Sequence, residues 1–162
     1  MVWYFWFCWF VNKEGFVDRV KKKRARRLYC ADAIILRGRG YVFIERLTDP
    51  TGIALVGGKR KGKETPLACI KREGLEETGA ELSVHRELGT WSGPHRDPRG
   101  PSSTTVFVAS ALGKLRGEKG KTRILELTEE EARVRRDEFV FDHFEIFEYF
   151  LNGGGIDPKE KK

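Results

Sequence analysis

Three glutamates on one predicted helical turn constrain this chain more than any other feature. Glu73, Glu76 and Glu77 stand at i, i+3 and i+4, which puts three carboxylates on one helix face. Like charges at that spacing repel and weaken an isolated helix, so a compensating group is needed. A hard divalent cation held by oxygen ligands, Mg²⁺ or Mn²⁺, is the natural one, and a solvated acidic face is the alternative. Helix signals frame the segment. Thr65-Pro66 supplies an N-cap and a first-turn proline, and Gly79 ends the helix after Thr78. Leu67, Ile70 and Gly74 form the arc expected to face the core. Arg72 is adjacent to Glu73 and positioned to orient a carboxylate.

The flanking sequence reads as a mixture of strands and helices. Tyr29–Arg37 and Tyr41–Arg46 are rich in β-branched and aromatic residues and are separated by Gly38-Arg-Gly40, a hairpin pattern. A short apolar strand over Ile53–Val56 runs into Gly57-Gly58. Leu82–Trp91, Thr104–Leu112 and Thr122–Leu127 read as further strands, and Ser92–Ser103 as a loop. Asp142-His-Phe-Glu145 has the form of a capping box opening a last, largely buried helix closed near Gly153. These elements predict an α+β domain layered as α/β/α. The expected organisation is an N-terminal extension over 1–28, a folded domain over 29–152 and a polar tail over 153–162.

Charge adds little to the fold but sorts partners. Net charge is +7, yet residues 1–28 hold eight Lys/Arg against two Asp/Glu, leaving the other 134 residues near neutrality. Seven of the nine positions 19–27 are basic. A solvated connector is the expected role of that cluster, with nucleic acid or an anionic membrane surface as the minority alternative. Residues 1–10 contain seven aromatics, a run about half the length a membrane span needs. They read as a strand or packed arm, or as part of a homodimer interface. Cys8, Cys30 and Cys69 are odd in number and lack CxxC spacing, and the three histidines are scattered. A zinc site and an oxidising compartment are therefore not expected, and a cytoplasmic location is.

The complete segment Gly58–Ala80, GKRKGKETPLACIKREGLEETGA, resembles the signature of the Nudix hydrolases. Gly58, Glu64, Arg72, Glu73, Glu76, Glu77 and Gly79 fit its pattern. The resemblance implies a mixed sheet between helices with a loop–helix–loop catalytic motif. It also implies hydrolysis of a nucleoside diphosphate linked to another moiety, a small-molecule nucleotide substrate. Glu76 and Glu77 with the Gly57 carbonyl are then metal ligands. Glu73 handles the attacking water and touches a metal, Arg72 orients Glu73, and Glu64 supports the site. One position departs: Gly74 replaces an aliphatic residue, at a helix cost of roughly 1 kcal/mol, and either tightens packing on the sheet or loosens the helix.

A further likeness, over Ala31–Leu36, Phe43–Arg46, Gly52–Gly58, Trp91–Gly100 and Phe141–His143, is to the ADP-ribose pyrophosphatase-like group. It implies ADP-ribose as substrate, with Pro94 as a marker. Arg46, Arg96 and Arg99 are the candidate substrate-binding arginines, with ion pairing of Arg96 and Arg99 to Asp97 as the alternative. Lys119-Gly-Lys-Thr122 stands where that group often has an acidic residue, and Leu55-Val-Gly-Gly58 replaces its usual proline-containing turn. Two other readings stay open: a nucleoside triphosphate pyrophosphohydrolase, and a non-catalytic nucleotide sensor that binds nucleic acid through its basic arm.

Overall fold

A computed structural model describes residues 27–93, 96–97 and 100–155. Expectations about the aromatic start, the basic cluster up to residue 26, Pro94, Arg99 and the last residues of the tail lie outside them.

Seven strands form one mixed sheet. They are β1 (Leu28–Arg37), β2 (Gly40–Arg46), β3 (Gly52–Ala54), β4 (Val56–Lys59), β5 (Leu82–Gly93), β6 (Ser102–Ala111) and β7 (Thr122–Leu127). The central strand β1 runs parallel to β6 along one edge, from Leu28↔Ser102 to Leu36↔Ser110. Its other edge is shared. The first half of β1 pairs with β4, Asp32 opposite Gly57, and the second half with β2, Ile35 opposite Val42. β2 in turn carries β3 and β7. The sheet therefore forks between β3 and β4, at Leu55. The single strand expected over Ile53–Val56 is two strands, because the residues on either side of Leu55 pair with different neighbours.

Alternation along β1 builds two cores. Ala31, Ala33 and Ile35 face Cys69 and Ile70 of helix α1 (Pro66–Thr78). Ile34 and Leu36 face Phe144, Ile146 and Phe147 of helix α3 (His143–Leu151) and Ala132 of helix α2 (Glu129–Val134). The result is the expected α/β/α arrangement. Among the described residues no helix is long and apolar enough to cross a membrane.

Helix α1 starts and stops where its sequence says. Thr65 Oγ1 accepts from the Ala68 amide at 3.1 Å, and Gly79 caps the end at φ 68°. Gly74 settles the departure noted above: a Cβ there would lie 2.5 Å from Leu82 Cγ, so its absence lets α1 approach β5. Leu67 is a correction. It is 44% exposed and does not join Ile70 and Gly74 in the core. Helix α2 was not expected from the sequence, although Thr128-Glu-Glu-Glu131 is a complete capping box with both reciprocal hydrogen bonds formed. The Asp142 capping box is a second correction. Asp142 precedes α3, but its carboxylate makes no cap hydrogen bond, because an arginine occupies it. The loop between β5 and β6 is also shorter than Ser92–Ser103, since pairing continues to Gly93 and resumes at Ser102.

Candidate active site

Helix α1 lies over strand β4, and the two meet where β4 has no side chains. A Cβ on Gly58 would fall 2.6 Å from the Glu73 carboxylate, and one on Gly57 would fall 2.3 Å from Asp32 Oδ1. The paired glycines therefore let acidic groups from α1 and β1 crowd against the strand.

Arg72 organises three of those acids. Its Nε and Nη2 donate to the two oxygens of Glu64, each at 2.9 Å. Nη1 donates to Glu73 at 2.6 Å and to Glu76 at 3.2 Å, while Nη2 also reaches the Lys59 carbonyl at 3.1 Å. One planar cation thus ties the loop glutamate to two helix glutamates and fixes the loop to the helix. The bond from Arg72 holds the Glu64 carboxyl far below its ordinary value, at about 2, and Arg72 itself stays charged. Glu76 is more exposed and also meets Lys61 Nζ at 3.3 Å.

Glu77 is in a different environment. It is 8% exposed and accepts from the Gly57 amide at 2.9 Å. Burial pushes its pKa up to about 8, with Glu73 and Asp32 adding to the rise and the Gly57 amide and Arg46 opposing it. Burial likewise raises Asp32 to about 6, against the 2.6 Å bond donated by Thr104 Oγ1. The donor chemistry fits a hard divalent cation: carboxylates and a backbone carbonyl, with a buried negative potential a cation would offset. The carboxylates are not yet gathered around a point, however. Among the described residues no three Asp, Glu, His or Cys side chains are grouped as a metal cage, because Glu64, Glu73 and Glu76 converge on Arg72.

Beside Gly57 and Gly58 opens a polar cleft of about 90 Å³, bordered by Asp32, Lys59, Arg46, Arg96, Phe141 and His143. Two of these are the arginines singled out in the sequence, and the structure uses them differently. Arg96 grips both oxygens of Asp142 and donates to Ser102 Oγ at 3.1 Å, so the pairing with Asp97 weighed from the sequence is replaced by one with Asp142. Arg46 forms no ion pair among the described residues. Its Nε donates to the Pro50 carbonyl at 2.8 Å, and its guanidinium stands 5.6 Å from the Phe141 ring centroid. Phe141 is the one non-glycine residue described with positive φ, 62°. A bulky residue in that region carries strain, a feature that clusters at ligand sites.

Two site residues escape a motif-based reading. Asp32 interrupts the apolar run of β1 and points to the α3 side. The signal was a lone acid inside a buried strand. His143 answers the fork in the sheet: its Nδ1 accepts from the Leu55 amide at 2.9 Å, satisfying a backbone donor that neither strand can use. Burial, with Arg96 and Arg46 nearby, lowers His143 to about 3, so it is neutral with its proton on Nε2. Nε2 lies 3.8 Å from Asp32 Oδ2.

A match to the NUDIX domain spans residues 26–150. The ADP-ribose pyrophosphatase of Methanocaldococcus jannaschii is 35% identical over 110 residues, which are 62% of this chain and 65% of that protein. A bifunctional NMN adenylyltransferase/ADP ribose pyrophosphatase from Francisella tularensis, complexed with AMP and a Mn ion, superposes with a TM-score of 0.71 at 20% identity. That match covers 79% of this chain and 42% of the Francisella chain. The NUDIX domain of Shewanella oneidensis NrtR complexed with ADP ribose gives a TM-score of 0.69 at 17% identity, over 84% of this chain and 94% of that one. The chain thus spans about two thirds of its curated relative, and the structural likenesses show the fold.

Proposed function

The chain belongs to the NUDIX family, and on that premise we propose that it hydrolyses the pyrophosphate bond of ADP-ribose, giving AMP and ribose 5-phosphate. The observation that carries this reading is the Arg72 node. One guanidinium holds Glu64, Glu73 and Glu76 beside a glycine strand and a cleft whose Arg46 forms no ion pair among the described residues. The 35% identical relative named as an ADP-ribose pyrophosphatase and the neighbour complexed with ADP ribose support the choice of substrate.

In this reading Glu76, Glu77 and the Gly57 carbonyl hold Mg²⁺ or Mn²⁺, with Glu73 and Glu64 contributing. The metal, when bound, neutralises phosphate charge and acidifies water. Glu73 takes the proton of the attacking water, and Arg72 keeps that carboxylate aimed. Glu76 leaves Lys61 and Arg72 to do its part. Arg46, already immobilised by the Pro50 carbonyl and the Phe141 ring, binds a phosphate of the substrate at little entropic cost. Asp32, Thr104 and His143 hold the strand fork and, through it, the Gly57 backbone.

The test is a substrate panel with Mg²⁺ and product identification. AMP with ribose 5-phosphate from ADP-ribose supports the proposal. Pyrophosphate from nucleoside triphosphates, with ADP-ribose untouched, replaces the substrate. No turnover of any member overturns the reading.

A further inference from the structure

A second, larger cleft lies on the other side of Lys59. It encloses about 540 Å³ between Arg27, Leu28, Tyr29, Lys59, Arg60 and Gly62. Its walls come from the start of β1 and from the loop that opens the glutamate motif, whose sequence Lys59-Arg-Lys-Gly-Lys63 has four cations in five positions. Nothing in the proposed hydrolysis of ADP-ribose uses this concentration of positive charge.

The cations differ in what they do. Lys61 is paired with Glu76. Arg60 is fixed: its Nε donates to the Glu64 carbonyl at 2.7 Å, its amide donates to the Tyr29 carbonyl at 2.8 Å, and its guanidinium lies 6.0 Å from the Tyr29 ring centroid. Arg27 and Lys59 form no side-chain ion pair among the described residues. Tyr29 is 54% exposed, although it stands in the central strand. The cleft therefore presents three cations, one of them immobilised, beside an accessible aromatic ring. Lys59 borders both this cleft and the one that holds Arg46, so the two are neighbours along one strand end.

We infer that this cleft is a second phosphate subsite, which holds a phosphate group of the substrate beyond the pair flanking the scissile bond. Arg27 and Lys59 bind the added phosphate, Arg60 fixes the loop, and Tyr29 supplies a face for the sugar or base that carries it. The inference rests on the proposed hydrolysis and deepens it. ADP-ribose remains a substrate, and nucleoside diphosphate compounds with an additional phosphate are turned over more efficiently.

The experiment compares kcat/KM for ADP-ribose, for ADP-ribose bearing an added 2′-phosphate and for diadenosine tetraphosphate. The full chain is tested beside Arg27→Glu and Tyr29→Leu, both exposed positions. At low salt at least one of the more highly phosphorylated compounds should exceed ADP-ribose by about fivefold, the scale of an exposed charge contact. Arg27→Glu should abolish that margin while leaving ADP-ribose hydrolysis within about twofold, and high salt should shrink it in the parent. Absence of a margin, or an equal loss on all three compounds in Arg27→Glu, overturns the inference. So does a margin that appears only with a 5′-triphosphorylated oligonucleotide, run beside the three compounds as a control, which would make the cleft a nucleic-acid surface. Should none of the three be hydrolysed, the proposed reaction fails and equilibrium binding decides the subsite. Tighter binding of diadenosine tetraphosphate than of ADP-ribose, lost in Arg27→Glu, upholds it, and equal binding refutes it.

Discussion

Arg96 donates from Nε and Nη2 to the two carboxylate oxygens of Asp142, at 2.9 and 2.7 Å. The pair joins the loop after β5 to the first turn of α3, and the arginine side chain is only 8% exposed. Among the described residues, three of the five N–H groups of Arg96 are occupied by protein once Ser102 is included. Breaking a buried pair leaves an uncompensated charge, so Arg96→Met should cost about 3 kcal/mol of stability. Denaturant unfolding checks the size. KM for ADP-ribose should change little where the variant remains folded, and a large rise in KM without loss of stability would return Arg96 to the substrate.

Arg46 should behave in the opposite way. Its charge meets carbonyls and a ring rather than a carboxylate. Arg46→Met should raise KM for ADP-ribose roughly tenfold, the scale of a lost charge-assisted hydrogen bond, with unfolding nearly unchanged. Steady-state kinetics beside a melting curve separates the two arginines. An unaltered KM would remove Arg46 from the binding site.

The two arginines show where sequence reasoning stops. Both read as guanidinium forks in loop or strand-end positions, and they differ in the partners that tertiary structure supplies, Asp142 for Arg96 and the Pro50 carbonyl and Phe141 ring for Arg46. Asp142, 46 residues from Arg96, was assigned to a helix cap on local pattern, and the long-range pair won. Local signals worked where local physics governs: Thr65, Pro66 and Gly79 bound α1 as read, and the glutamates occupy one helix. The fork at Leu55 was not legible, because it depends on which strands flank β1. Asp32 and His143 follow from that fork, and so neither carried a motif of its own. Helix α2 is legible in Thr128–Glu131, a complete capping box.

Gly74 gives a sign test. In the helix, alanine gains about 1 kcal/mol over glycine. Here its Cβ would press on Leu82, and overpacking costs about 2 kcal/mol. Gly74→Ala should therefore destabilise the chain by about 1 kcal/mol. In a Leu82→Ala background, where the obstacle is gone, the same change should stabilise it by about 1 kcal/mol. Denaturant titration of the four proteins checks this, and the same sign in both backgrounds would mean that Leu82 is not the reason for the glycine.

The raised Glu77 sets a pH dependence in metal-free protein. A folded pKa of about 8, above the unfolded 4.5, means that the native state keeps a proton the unfolded chain has lost. That stability is present at low pH and is lost as pH rises through about 8. Between pH 7 and 8, His143 is mostly neutral in both states and Asp32 is mostly ionised in both. Stability with chelator present should then fall by up to about 1.4 kcal/mol per pH unit. Glu77→Gln should flatten the slope. A rise across this window, or an unchanged slope in the variant, contradicts the assignment.

Glu73, aimed by Arg72, is the group proposed to handle the proton of the attacking water. The most direct measurement is kcat for ADP-ribose in Glu73→Gln with Mg²⁺, beside calorimetric Mg²⁺ binding. The expected result is a fall in kcat of about 10²–10⁴, the usual contribution of a general base, in protein that still folds and still binds Mg²⁺. Retention of more than about a tenth of the parent kcat would contradict it and move the proton transfer to another group.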